Sequence, residues 1–304
     1  MPLRSILLCL ILLVFRPAWA EGAIHLILSE SGAAHQEAAE TFRAVLGVSR
    51  PVKISTLAEL APAQLQAMTQ ASDLVVPVGV KAARFVAEHH AGQAAVLSLM
   101  IPRSVGERLQ WPASLGRRKT SFVYIDQPVP RSLNLVTEAF PAAHRVSVVI
   151  SPENAGIAKS LAQEAARRQL ALNLENVDAP EDVAAALRRA LPESDVLLLI
   201  PDALVINAAN AQNVLLTTYR YRVPVVGFSQ GLAKAGAVAS IYASPSQIGR
   251  QAAQMAMRWL ESGDLPAPQP SSEFSLSFNR HVARSLGVVL PDENEIRKKL
   301  GASE

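Results

Sequence analysis

Cysteine is almost absent from this chain: among 304 residues only Cys9 carries a thiol. Cys9 lies inside an apolar N-terminal run, very near the start, and follows Leu8 where a lipoprotein signal wants a small residue, so lipidation is not expected there. With that run set aside, no disulfide and no thiolate metal site can form. Aromatic residues make up 5%, too few for a carbohydrate or single-stranded nucleic-acid surface built on stacked rings. Charge is sparse at 18% and nearly balanced, with 29 Lys and Arg against 26 Asp and Glu. Losing Arg4 and Arg16 with the N-terminal run leaves 27 against 26, so no general attraction to nucleic acid is expected. A P-loop, a G-x-G-x-x-G turn and a metal-ligand cluster are all missing, and no cofactor is expected.

What is present is apolar: half of the residues are hydrophobic, enough for one large or two ordinary cores. Residues 1–20 read as a cleavable signal peptide. Arg4 supplies the positive start, Ser5 to Phe15 the apolar run, and Ala18-Trp19-Ala20 the cleavage signal. A bilayer span needs a longer apolar run. The expected location of the remaining chain is therefore the periplasm.

The stretch from Asp195 to Gly249 sets the fold class. Val196–Ile200, Val225–Gly227 and Ala237–Tyr242 are continuous apolar runs, the pattern of strands buried on both faces of a parallel sheet. Helical segments separate them, and similar runs at Ile24–Leu28, Asp73–Val78, Ala94–Leu99 and Ser121–Ile125 make an earlier sheet. Asp126-Gln127-Pro128-Val129-Pro130 is the linker, stiffened by two prolines in three positions. The expectation is an α/β protein of two Rossmann-like lobes with parallel sheets and an interlobe cleft. Lobe 1 comprises 21–127 plus about 243–268, lobe 2 comprises 128–242 plus about 269–290, and 291–304 is a charged, loosely held tail.

Val223-Pro224-Val225-Val226, Ala235-Gly236-Ala237-Val238 and Ile248-Gly249-Arg250-Gln251-Ala252-Ala253 carry a family resemblance, as does Phe140-Pro141-Ala142-Ala143-His144-Arg145-Val146 followed by Ser151-Pro152. Here the chain resembles the periplasmic substrate-binding proteins of ABC transporters, of the type I periplasmic-binding-like branch that includes aromatic amino acid binders. The resemblance implies a small ligand held between closing lobes, no catalysis, and an inner-membrane ABC permease as partner to a monomer. Members of the branch usually place polar or acidic residues where this chain has Ala203-Leu204, Phe228-Ser229 and Ser244-Pro245-Ser246-Gln247. The carboxylates left to meet an ammonium group are Glu30, Asp126, Glu153 and Asp202. An extracytoplasmic sensor that reports to a membrane receptor would share the same fold.

In such sheets ligands sit beyond the carboxyl ends of the strands. In the first lobe that singles out Ser29, Glu30, Ser31, Gly79, Val80, Met100, Arg103, Tyr124 and Asp126. In the second it singles out Ser151, Glu153, Asn154, Pro201, Asp202, Phe228, Ser229, Gln230 and Tyr242. Each of these also has a plain reading as the finish of a strand. Gly227-Phe228-Ser229-Gln230-Gly231 is a G-x-S-x-G turn between strand and helix, the nucleophile elbow of a serine hydrolase. Asp264 or Glu273 and then His281 would complete a triad in the right order. The plain reading of Ser229 is a helix cap. His89 and His90 are adjacent, so on a helix they point about 100° apart and cannot grip one metal.

Overall fold

The computed structural model describes residues 22–47, 50–116 and 119–301. The expected signal peptide lies outside them.

In the first lobe the chain alternates strand and helix: β1 (Ala23–Leu28), α1 (Ala33–Leu46), β2 (Val52–Thr56), α2 (Pro62–Ala71), β3 (Ser72–Val78), α3 (Val80–His89), β4 (Ala95–Ile101), the single turn α4 (Arg103–Gly106) and β5 (Thr120–Tyr124). The second repeats the plan with α5 (Val129–Ala139), β6 (Arg145–Ile150), α6 (Ala158–Arg167), β7 (Ala171–Asn176), α7 (Val183–Ala190), β8 (Val196–Leu198), α8 (Ala211–Arg220), β9 (Val225–Gly227), α9 (Gln230–Ala235) and β10 (Ala239–Tyr242). The chain closes with α10 (Pro245–Ser262), β11 (Gln269–Pro270), β12 (Ser275–Phe278), α11 (Arg280–Leu286) and α12 (Glu293–Lys299).

The two sheets share one strand order, β11-β5-β4-β3-β1-β2 and β12-β10-β9-β8-β6-β7, and only β12 runs antiparallel to its neighbour. Ile24, Leu26 and Ile27 of β1, Leu74 to Val76 of β3 and Val96 and Leu97 of β4 have no exposed surface. Helices cover both faces of each sheet, so nothing selects for alternation and the runs stay apolar. Phe42 of α1 and Met255 of α10 are fully buried in the first core on one of those faces.

The chain passes between lobes three times: after β5, between β10 and α10, and between β11 and β12. Gln269 and Pro270 still pair with Val123 and Tyr124, so the last passage begins after Pro270 and not at 269. Arg131 of α5 ties the first and the last of these passages together. It donates to Gln127 Oε1 at 2.8 Å and to the carbonyls of Ser271 and Ser272 at 3.2 and 3.1 Å, and lies 4.6 Å from the Phe274 ring centroid.

Some expectations change. The tail is not loose: Ile296 of α12 is 1% exposed in the second core, and Lys299 bonds Glu138 of α5 at 2.7 Å. Asp292 caps that helix, its Oδ1 accepting from Asn294 N–H at 2.8 Å. The short α11, not foreseen, is capped by Asn279, whose Oδ1 accepts from Val282 N–H at 3.0 Å. β8 stops at Leu198 and β10 starts at Ala239, each two residues inside its apolar run.

Candidate functional site

Between the lobes, at the carboxyl ends of β4, β5 and β6, lies a cavity of about 430 Å³. That size suits one small solute. The first lobe contributes Arg103, Ser104, Glu107, Tyr124 and Asp126; the second contributes Glu153, Asn154, Ile157 and Ser160. Passage residues Gln127 and Pro128, Val129 and Pro130 of α5, Gly156 and the strand end Pro270 complete the wall. Of the candidates read from the sequence, Arg103, Tyr124, Asp126, Glu153 and Asn154 come together here. Ser104, Glu107, Gln127, Ile157, Ser160 and Pro270 were missed. Glu107 stands four residues after Arg103, a helical ion-pair spacing that could have flagged it.

Local structure places these side chains. Pro102, with φ −62° and ψ 146°, turns the chain out of β4 into α4. Met100 adopts φ 55° at a register shift in β4, so that Ile101 pairs with Tyr124. The first turn of α4 then offers Arg103 N–H to Asp126 Oδ2 at 2.7 Å. The Arg103 guanidinium turns to Glu107, Nε to Oε1 2.6 Å, and that hydrogen bond raises its pKa. Across the mouth, Arg108 meets Glu153 of the other lobe at 2.5 Å.

Asp126 makes no ion pair among the described residues. Burial pushes its pKa up to about 6, against the Arg103 backbone bond that lowers it. Burial likewise pushes the Tyr124 phenol up to about 12. A carboxyl group whose folded pKa is raised binds its proton more tightly folded than unfolded. Stability should therefore fall as pH rises from about 4 to about 6 and stay lower above, by roughly 1.4 kcal/mol for each tenfold gain in proton affinity, less solvent screening. Asp126→Asn should flatten that segment of a urea-midpoint-versus-pH curve; an unaltered slope would assign it to other groups.

Asp202 is not in the cavity. It is 4% exposed and acts as scaffold. Its Oδ2 accepts from Ser151 N–H and Asn154 Nδ2, both at 2.8 Å, and its Oδ1 from the amides of Leu204 and Val205 at 3.1 and 3.3 Å. One carboxylate thus joins the loops after β6 and β8 and aims Asn154. Ser151 is fully buried behind it.

The other candidates stand apart from the cavity. Ser29 Oγ accepts from Ala82 N–H at 2.9 Å and caps α3. Gly79, at φ 93°, passes so close that a Cβ would meet Ser29 Oγ and His35 Nε2, each at 2.6 Å. Glu30 is exposed, 3.9 Å from His35 Nδ1, and Ser31 is exposed beside it. Burial lowers the His35 pKa and Glu30 opposes that. Val80 and Met100 pack on apolar clusters of the first lobe. Pro201 and Phe228 line an adjoining pocket of about 20 Å³ that shares Asp126, Gln127 and Ile157 with the cavity. Gln230 is exposed. The Tyr242 phenol feels Glu293 and Arg297 of α12, and burial raises its pKa.

Ser229 is a cap: its Oγ accepts from Leu232 N–H at 3.1 Å at the start of α9. His281 cannot serve it. Ser229 follows the carboxyl end of β9, whereas Phe278 pairs with Ala239 at the amino end of the parallel neighbour β10, so His281 lies at the opposite end of the sheet. Glu273 is bound to Arg250 at 2.8 Å. Ser229→Ala should lower stability by about 1 kcal/mol in urea unfolding. A fluorophosphonate probe should leave Ser229 unlabelled; labelling would revive the hydrolase reading.

The family model of ABC transporter substrate binding proteins matches residues 54–298. No curated protein matches. Among solved structures, the chain is similar to a conserved domain protein from Vibrio cholerae at 19% identity, covering 93% of this chain and all of that one, with TM-score 0.64. An ABC domain from Streptococcus pneumonia, solved with L-Trp, is similar at 16% identity over 93% and 99% of the two chains, TM-score 0.65. A substrate binding protein with adhesive properties from Clostridium difficile, in its ligand-free open form, is similar at 16% over 90% and 97%, TM-score 0.66. These likenesses agree with the two-lobed parallel fold, and the match over residues 54–298 identifies the family: the chain belongs to the ABC transporter substrate binding proteins and is a solute-binding protein.

Proposed function

We propose that one small solute binds in the cavity between Arg103, Asp126 and Asn154, and that the closed lobes then present it to an ABC permease in the inner membrane. The observation that carries this reading is Asp126: a half-buried carboxylate, pKa raised to about 6, in a solute-sized cavity with no cation among the described residues paired to it. A binding site keeps such a group because the ligand supplies the missing partner. The Streptococcus relative, solved with L-Trp, supports an organic solute of amino-acid size. Closure follows from differential affinity: contacts from both lobes form together only when the lobes approach. Arg108 and Glu153 already span the mouth. The signal-peptide pattern in residues 1–20 supports a periplasmic receptor, and no helix among the described residues is long and apolar enough to cross a membrane.

A thermal-shift screen over small metabolites tests binding, since a solute at 100 times its Kd stabilises by about 2.7 kcal/mol. Closure is read separately. The chain after residue 20 has no cysteine, so spin labels at Arg84→Cys and Lys159→Cys, exposed positions on the two lobes, report the interlobe distance without interference. A stabilising solute should shorten it. A solute that stabilises and leaves the distance unaltered would remove the closure mechanism.

A further inference from the structure

We propose that the solute is an organic cation without a carboxylate, an amine or amidine on a short apolar body, its charged group held between Asp126 and Asn154. The inference rests on the cleft being the solute site. Four charged side chains line the cavity: Arg103, Glu107, Asp126 and Glu153. Arg103 is committed to Glu107 at 2.6 Å, and Glu153 to Arg108 at 2.5 Å. Asp126 is the remaining charge: its carboxylate accepts from the Arg103 backbone N–H and makes no ion pair among the described residues.

Two amides refine the picture. Asn154 must direct Nδ2 at the Asp202 carboxylate, 2.8 Å away, because a carboxylate accepts and cannot donate. Its Oδ1 is then an acceptor left over in the cavity wall, suited to an ammonium N–H. Gln127 gives its Oε1 to Arg131 at 2.8 Å, and its Nε2 is buried with no acceptor although the residue is only 8% exposed. An unpartnered buried donor is costly. A hydroxyl, ether or carbonyl on the solute, or a water it fixes, would satisfy it. Pro128, Ile157 and Pro270 supply apolar wall for the body.

A zwitterion fits badly. Its carboxylate needs an unpaired cation, and among the described residues the wall offers only Arg103, already paired with Glu107. Arg108 is paired with Glu153, and Arg131, outside the lining, is held by Gln127, Ser271 and Ser272. A metal ion fits no better: among the described residues no three His, Cys, Asp or Glu side chains converge.

The groups that act on Asp126 are Arg103, Glu107 and Tyr124 of its own lobe, with Glu153 facing it across the cavity. Its pKa of about 6 sets a pH dependence. A bound cation holds Asp126 ionised and lowers that pKa, so binding expels a proton. Affinity is then full above about pH 6 and falls up to tenfold per pH unit below it.

Thermal-shift and calorimetric titration at about pH 8 with matched pairs decide the matter. Suitable pairs are tryptamine and L-tryptophan, tyramine and L-tyrosine, agmatine and L-arginine, cadaverine and L-lysine, with indole-3-propionate as an anion. At least one amine should stabilise the protein, its amino acid should bind tenfold or more weakly, and the gain should fade toward pH 5. Asp126→Asn should weaken that amine about 30-fold or more, while the variant alone melts no lower than the parent because an unpaired carboxylate has gone. If an amino acid or the anion binds as well as its amine, the cation assignment is overturned and the solute-binding reading stands. If Asp126→Asn binds the amine normally, the assignment of Asp126 is overturned. A panel in which no class responds removes the cation assignment, and the broader metabolite screen then decides the cleft reading by itself.

Discussion

Asp202→Ala is expected to lower the unfolding free energy by about 3–5 kcal/mol, since each buried donor left without its acceptor costs about 1–3 kcal/mol and water can reach only some of them. Four donors depend on this one carboxylate: the amides of Ser151, Leu204 and Val205 and the side chain of Asn154. Relief of the buried charge offsets part of the loss. Asp202→Asn should fall between. Its oxygen can keep Leu204 and Val205, but its NH₂ then faces the Ser151 and Asn154 donors. The measurement is the guanidinium midpoint at constant slope. A change below about 1 kcal/mol for the alanine variant would mean that water replaces the carboxylate. The effect should reach the cavity too, because Asn154 is aimed by Asp202. Solute affinity should drop in the asparagine variant even where it is folded.

Gly249→Leu should be of similar size or larger. Gly249 lies in α10 where that helix crosses α1, and a Cβ there would meet the Ala38 carbonyl oxygen at 2.2 Å and the Ala38 carbonyl carbon at 3.1 Å. Those are backbone atoms, so relief requires the helices to separate. Overpacking of this kind typically costs about 1–3 kcal/mol for small additions. Gly249→Ala recovers up to about 1 kcal/mol of helix propensity and should still be destabilising. Leucine adds bulk without further propensity and should cost more. The first core has Phe42 of α1 and Ala252, Ala253 and Ala256 of α10 at this contact, so melting of the first lobe should be the observable. A Gly249→Ala protein as stable as its parent would show that α10 can slide. Gln251 of the same helix donates to Pro270 O at 3.0 Å and accepts from Ser272 N–H at 2.7 Å. A shift of α10 therefore moves the last interlobe passage, and lobe closure should respond.

The site was legible only in part. Strand-end position selected Arg103, Tyr124, Asp126, Glu153 and Asn154, which line the cavity, together with Ser29, Ser229 and Asp202, which cap or brace loops instead. The same residue types serve both ends. A short oxygen-bearing side chain after a strand either caps the next helix or faces the cleft, and helix geometry a turn further on decides which. Gln127 was visible as part of a linker, not as a buried donor, because its partner Arg131 and the carbonyls of Ser271 and Ser272 are brought together only by the third passage. The C-terminal helix looked polar and loose since its packing rests on a single buried side chain, Ile296.

The amino-acid order by itself determined two covered parallel sheets, their strand-helix alternation and the linker at Pro128, because burial on both faces and chain stiffness are written in local composition. Tertiary structure alone decided that Glu153 is answered by Arg108 of the other lobe, and that Asp126 is left without an ion pair among the described residues. Whether a charge is cancelled depends on groups within about 4 Å in space, and adjacency in space between lobes is not encoded by any window of neighbouring residues.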